Sequence, residues 1–146
     1  MNYDNTEILF VEDNVDDAAL TMRALRKGGL SNTIFHVKDG AEALNFMYCR
    51  GAYTSRKSLE TLKLILLDLK MPKVSGMEVL EKLKSDPALK KTPIVILTSS
   101  KEDPDIKRCY ELGANSYIVK PVESDSFFQT IKDLSMYWMI SNQPPH

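Results

Sequence analysis

Five short runs of apolar or β-branched residues recur along the chain: Ile8 to Val11, Thr33 to Val37, Leu64 to Leu67, Ile94 to Leu97 and Ser116 to Val119. Three of them, the first, third and fourth, are continuously apolar, which is the pattern of parallel strands covered on both faces. Between the runs, apolar positions repeat at three and four residues. Val15, Ala18, Ala19, Met22 and Leu25 form one such stripe, Met77, Leu80 and Leu83 a second, and Ile106, Cys109 and Tyr110 a third. Each strand is therefore expected to be followed by a helix. Gly28-Gly29 and Gly113 sit where helices should stop, and Pro104 after Asp103 marks a start. In the last helix Phe127, Ile131, Leu134 and Trp138 share a stripe and should face the sheet, leaving Phe128, Met136, Tyr137, Met139 and Ile140 on other faces.

Strict alternation of strand and helix predicts a parallel sheet with right-handed crossovers, a doubly wound α/β domain. Five strands suit the flavodoxin-like (β/α)5 order 2-1-3-4-5. Arg50 to Lys63 is polar and aperiodic, so it reads as a long loop before the third strand. No repeat, low-complexity tract or linker to a second domain is visible, and one domain over residues 6–140 with short tails at 1–5 and 141–146 is expected.

Composition narrows the function. The 146 residues include 19 Lys and Arg against 20 Asp and Glu, a formal charge of −1, which offers no electrostatic surplus for nucleic acid or an anionic membrane. No run approaches the roughly 18 apolar residues of a membrane span, and Met1-Asn2-Tyr3-Asp4 is no secretion signal, so a cytoplasmic location is expected. Cys49 and Cys109 are far apart and lack CxxC or histidine neighbours; His36 and His146 are isolated. Redox, zinc and histidine chemistry are poor fits to such spacing.

Acids, by contrast, gather where a doubly wound sheet binds ligands, outside the carboxyl ends of its strands. The first strand ends in Glu12-Asp13 and the third in Asp68. Three converging carboxylates repel one another unless a cation sits among them. Oxygen ligands without nearby His or Cys favour Mg²⁺ or Mn²⁺, which leave room for a phosphate oxygen. Helix capping would also explain Glu12 and Asp13 by themselves. The fourth strand, however, ends in Thr98-Ser99 and the fifth in Lys120-Pro121, adding a hydroxyl and a cation to the same edge. A phosphoryl group on Asp68 would find there the neutralisation and hydrogen-bond donors it needs.

The segments Val11-Glu12-Asp13-Asn14, Leu67-Asp68-Leu69-Lys70-Met71-Pro72, Leu97-Thr98-Ser99-Ser100 and Tyr117-Ile118-Val119-Lys120-Pro121 resemble the receiver domain of two-component response regulators. The resemblance covers about residues 6 to 140. It implies Asp68 as phospho-acceptor, Asp13 as direct metal ligand, Glu12 acting through water, and the main-chain carbonyl of Lys70 completing the protein ligands. It further implies that Thr98 swings toward the phosphoryl group, that Tyr117 changes rotamer in step, and that Lys120 bridges acid and phosphate, with a cis bond before Pro121. The donor would be a sensor histidine kinase, and the surface of the fourth helix, fifth strand and fifth helix would carry the signal. Such a domain catalyses only its own phosphorylation and dephosphorylation. Two departures are Glu12, where Asp is often seen, and Lys70, whose ammonium could lie near the phosphoryl group and alter its lifetime.

With six residues after the last helix, output is expected through another protein. The apolar surplus at the carboxyl end suggests a homodimer through the fourth helix, the fifth strand, the fifth helix and the C-terminal helix. The long loop and the Tyr137-Trp138 ending also resemble small regulators paired with bacterial phytochrome kinases. Three rivals share the topology or the chemistry. A flavodoxin-type carrier needs a phosphate-binding loop where Glu12-Asp13-Asn14-Val15-Asp16-Asp17 would repel one. A haloacid-dehalogenase-like phosphatase normally has an Asp where Lys70 stands. A pseudo-receiver would lack the complete acceptor set found here.

Overall fold

The computed structural model describes residues 3–71 and 74–141. Five strands, β1 (Ile8–Val11), β2 (Ile34–Val37), β3 (Leu64–Asp68), β4 (Ile94–Thr98) and β5 (Ser116–Val119), alternate with helices α1 (Val15–Lys27), α2 (Gly40–Met47), α3 (Gly76–Ser85), α4 (Asp105–Glu111) and α5 (Ser124–Asp133). All strand pairs are parallel, in the order β2-β1-β3-β4-β5. The doubly wound flavodoxin-like fold expected from the sequence is therefore the fold observed.

Period-two alternation divides the strand side chains between two apolar layers. Leu9, Val11, Ile65, Leu67, Ile94 and Ile96 pack against α2, α3 and Cys109 of α4. Ile8, Phe10, Leu64, Leu66, Val95 and Leu97 pack against α1 and α5. Every residue of β1, β3 and β4 is buried, which explains their continuously apolar sequences. Each such Leu or Ile contributes about 1.5–3 kcal/mol when it leaves water.

Capping side chains set three helix starts, and for α1 the cap is Asn14 rather than Glu12 or Asp13. Asn14, Asp39 and Ser75 each accept a hydrogen bond from an amide three residues on, satisfying one of the donors left free at a helix start. Pro104 precedes α4, and Gly113, with φ +109°, follows it in a conformation that side chains resist. Gly76 opens α3 because a Cβ there would lie 2.2 Å from the Asp68 carbonyl oxygen. The turn after Asp68 can close this tightly only on glycine.

Three expectations need correcting. The α1 stripe is rotated: Ala18, Thr21 and Leu25 are buried, whereas Val15 is 70% exposed and Ala19 faces solvent. The 50–63 stretch is not simply a polar loop. It carries a turn of 3-10 helix (Gly51–Tyr53) and buries Tyr53 and Arg56. The Arg56 guanidinium donates to the carbonyls of Phe46, Met47 and Ser58 and stacks over the Phe46 ring, capping the carboxyl end of α2.

The third correction concerns Trp138, which does not face the sheet. Ser135 takes a left-handed backbone conformation (φ 57°), α5 ends at Asp133, and a new 3-10 turn (Tyr137–Met139) restarts the period. Met136 and Met139 are buried instead, and Tyr137 and Trp138 point outward. Buried Asn32 holds this segment: its amide donates to the Met139 carbonyl, and its oxygen accepts the Ser141 amide at 2.6 Å. At the other end Tyr3 packs among Phe35, Phe46 and Tyr53. His146 lies outside the described residues.

Candidate functional site

The carboxyl ends of β1, β3, β4 and β5 meet at one edge of the sheet and deliver Glu12 and Asp13, Asp68, Thr98, and Lys120. Oxygens from Glu12, Asp13 and Asp68 lie within 4.8 Å of one another. Glu12 and Asp68 are buried, and Asp13 is the more accessible of the three. Lys120 enters this group from β5, across the cis Lys120-Pro121 bond. Its ammonium lies 2.9 Å from Glu12, 3.3 Å from Asp68 and 3.4 Å from Asp17.

Electrostatics follow from that crowding. Burial, then the hydrogen bond and negative charge of Glu12, push the Asp68 carboxyl up to about 7, although Lys120 pulls the other way. Burial opposes the charge on Lys120, but its hydrogen bond to Glu12 and the charges of Asp68 and Glu12 outweigh this and hold it above the usual lysine range. Two buried acids thus share one cation. Three close carboxylates without a nitrogen or sulfur ligand form the donor set of a hard divalent ion, so the residues fit Mg²⁺ or Mn²⁺.

Thr98 is 2% exposed, and its hydroxyl donates toward the Ser100 carbonyl and the Asp103 carboxylate. Tyr117 is half-buried on β5, its ring edge-on to Tyr110 of α4 at 6.4 Å. Lys70 follows Asp68 by two residues, and its ammonium is 3.4 Å from Asp103. Asp68, Leu69, Lys70, Thr98, Ser99, Asp103 and Lys120 line a pocket of about 80 Å³. Every residue singled out from the sequence for this site therefore lies at this edge or, in the case of Tyr117, on the strand leading to it.

Three contributors are invisible to motif reading. Asp17, the third residue of α1, resembles an ordinary helix-start acid, yet it reaches Lys120. Asp103 belongs to the polar string Ser99 to Asp105, yet is only 9% exposed. His36, isolated in the sequence, donates from Nε2 to the Glu12 carbonyl at 2.7 Å. The signal that would have found His36 is parallel register, since it pairs with Phe10, two residues before Glu12. The cysteines remain free thiols, and burial pushes Cys109 up to about 11, which keeps it protonated and inert.

An open parallel sheet with acids and a lysine at its switch point defines a receiver-type domain. Residues 8–132 match the family of the response regulator receiver domain, and the chain belongs to that family. The bacteriophytochrome response regulator RtBRR is 45% identical, with a TM-score of 0.85 over 96% of this chain and 84% of its own. The Mn²⁺-bound form of response regulator Rcp1 is 32% identical, with a TM-score of 0.73 over 97% of this chain and 99% of its own. The probable methanogenesis regulatory protein FilR2 of Methanothrix harundinacea is 38% identical over 94% of this chain and 86% of its own. The resemblance to phytochrome-associated regulators seen in the sequence thus extends to the structure, and the protein is a two-component signalling receiver. Among the described residues, no helix is long and apolar enough to cross a membrane.

Proposed function

We propose that this chain, acting as one receiver unit over residues 6–140 in the cytoplasm, accepts a phosphoryl group from a sensor histidine kinase on Asp68 and signals to a partner protein. The observation that carries the reading is the convergence of buried Asp68 with Glu12, Asp13 and Lys120 at the switch point. The likeness to the bacteriophytochrome response regulator RtBRR supports a phytochrome-like kinase as the donor.

In the transfer, an Asp68 carboxylate oxygen forms a bond to phosphorus as the phosphorus–nitrogen bond of a phosphohistidine breaks, and the imidazole leaves with the electron pair. Lys120 neutralises charge beside the acceptor, and the Thr98 hydroxyl, released from the β4–α4 turn, donates to a phosphoryl oxygen. Asp13, Asp68, the Lys70 carbonyl and Glu12, the last through water, would hold Mg²⁺ or Mn²⁺. When bound, the ion supplies positive charge for the phosphoryl oxygens. Movement of Thr98 frees space for Tyr117 and alters the face formed by α4, β5 and α5. The protein acts only on itself and its donor.

Incubation with acetyl phosphate and Mg²⁺ should add one phosphoryl group to the intact mass of the wild type. Chelator or Asp68→Asn should abolish it; labelling that persists in Asp68→Asn would overturn the acceptor assignment.

Because Asp68 holds its proton up to about pH 7, ion binding below that pH must release it. Apparent Mg²⁺ affinity should therefore rise with pH, by up to roughly tenfold for each pH unit, and level off above about 7. Calorimetry across this range checks it, and a flat profile would contradict the burial of a protonated acceptor.

The same signalling face presents Tyr110 and Val119 to solvent, and Tyr137 and Trp138 are exposed just after α5 in the chain. A second copy of this chain is the proposed occupant of the α4, β5 and α5 face. Sedimentation should show a dimer in the presence of beryllofluoride, and a monomer at all concentrations would refute it.

A further inference from the structure

We propose that Asp103 is a latch that holds Thr98 and Lys70 away from the acceptor until a phosphoryl group arrives, so that this buried acid sets how readily Asp68 is occupied. The inference rests on the reading of Asp68 as phospho-acceptor and adds to it a residue outside the acceptor motifs.

Asp103 sits in the turn between β4 and α4, and its two oxygens do different work. Oδ1 accepts the Asp105 amide at 2.9 Å and so caps the start of α4. Oδ2 faces the pocket, where it meets the Thr98 hydroxyl and the Lys70 ammonium, both at 3.4 Å. The turn is closed by the Asp103 amide donating to the Ser100 carbonyl, which is itself the other acceptor of the Thr98 hydroxyl. Hydrogen bonding to Asp105, with help from Lys70 and Thr98, holds the carboxyl below its ordinary range, so it is charged at neutral pH.

Position decides what this charge does. The Asp103 side chain is 3% exposed and that of Lys70 is 69% exposed. A nearly buried carboxylate recruits an otherwise solvated lysine, its one ion-pair partner among the described residues. Asp68, Lys70, Thr98 and Asp103 line one small pocket. A phosphoryl group on Asp68 would present oxygens that compete with Oδ2 for the same hydroxyl and the same ammonium. Occupation then costs the broken contacts to Asp103, and their loss loosens the turn that leads into α4. Lys70, which the sequence places two residues from the acceptor and so near the phosphoryl group, is instead held in reserve.

The test uses beryllofluoride with saturating Mg²⁺, its dissociation constant read from the bound fluorine resonance, on the wild type, Asp103→Asn, Lys70→Met and the double variant. Asp103→Asn keeps an Oδ1 acceptor for the α4 cap while removing the charge. It should bind the mimic roughly tenfold more tightly, the factor that corresponds to about 1.4 kcal/mol. In the Lys70→Met background the same substitution should gain far less, because the ammonium is no longer there to be released. Simple repulsion between Asp103 and the mimic predicts the opposite, an equal or larger gain once Lys70 no longer screens the acid. Unchanged affinity in Asp103→Asn, or a gain undiminished in the double variant, would overturn the latch while leaving the acceptor assignment intact. Failure of the wild type to bind beryllofluoride would overturn the acceptor reading, and the latch with it.

Discussion

Replacing Lys120 by methionine is expected to destabilise the metal-free protein at pH 8 by about 3–5 kcal/mol, the largest effect of any single substitution at the site. The magnitude follows from what remains. Glu12 is fully buried and its closest cation, at 2.9 Å, is gone. Asp68 loses a partner at 3.3 Å and Asp17 one at 3.4 Å. The Asn14 amide, which donates to Glu12 at 3.3 Å, is a weak substitute for an ammonium. The loss should shrink at lower pH, where Asp68 takes up a proton and one buried charge disappears. Urea unfolding at pH 5 and pH 8 separates these cases, and Mg²⁺ should restore part of the stability at pH 8. A cost below about 1 kcal/mol at pH 8 would mean that the acids are solvated and that the lysine is an ordinary surface charge.

The second large effect has the opposite sign. Asp68→Asn should stabilise the metal-free protein at pH 8 by about 2–4 kcal/mol while abolishing phosphoryl acceptance, since each tenfold difference in proton affinity between folded and unfolded chains corresponds to about 1.4 kcal/mol. An aspartate raised from 3.8 to about 7 on folding binds its proton more tightly in the native state. The native state therefore gains from this group below about pH 4, and the gain is lost as pH rises toward 7. The amide removes the buried negative charge at nearly constant volume, and Lys120 keeps Glu12 and Asp17. Thermal unfolding should show the two proteins close at pH 4 and diverging up to about pH 8. With saturating Mg²⁺ the order should narrow or reverse, because only the wild type gains a full ligand set. Stability that falls at pH 8 on substitution would show that Asp68 is held ionised by favourable contacts.

Both effects come from burying like charges together: Asp68 is a charge the fold tolerates poorly, and Lys120 is the cation that makes that burial bearable. Much of that is legible in the sequence because it is local. The apolar runs of β1, β3 and β4 could only be strands buried on both sides, and the polar residue ending each had to fall at one edge of a parallel sheet. Glu12, Asp68 and Thr98 come from that logic, with Asp13 next in the chain and Lys120 at the same edge after the less buried β5.

What escapes is nonlocal. Asp17, Arg56 and Asp103 sit in polar stretches, and nothing in a polar stretch says which member will be buried, as Arg56 and Asp103 are, or drawn to a distant cation, as half-exposed Asp17 is. That depends on which carbonyls or cations the tertiary fold brings near: the end of α2 for Arg56, and Lys70 with Thr98 for Asp103. The α1 stripe cannot be aligned from hydrophobicity, because polar Thr21 is buried while Val15 at the helix start is not. The carboxyl end departs from its pattern for a backbone reason. One left-handed residue, Ser135, resets the helical period, so every face expected beyond it shifts.

The central claim is that the carboxylate between the acid pair and the lysine is the one that takes the phosphoryl group. The most direct measurement traps that group chemically. After incubation with acetyl phosphate and Mg²⁺, borohydride reduction converts an acyl-phosphorylated aspartate to homoserine, which peptide sequencing by mass spectrometry locates. The account predicts homoserine at position 68 and nowhere else. Homoserine at 13, 17 or 103, or none under conditions that label the protein, would contradict it.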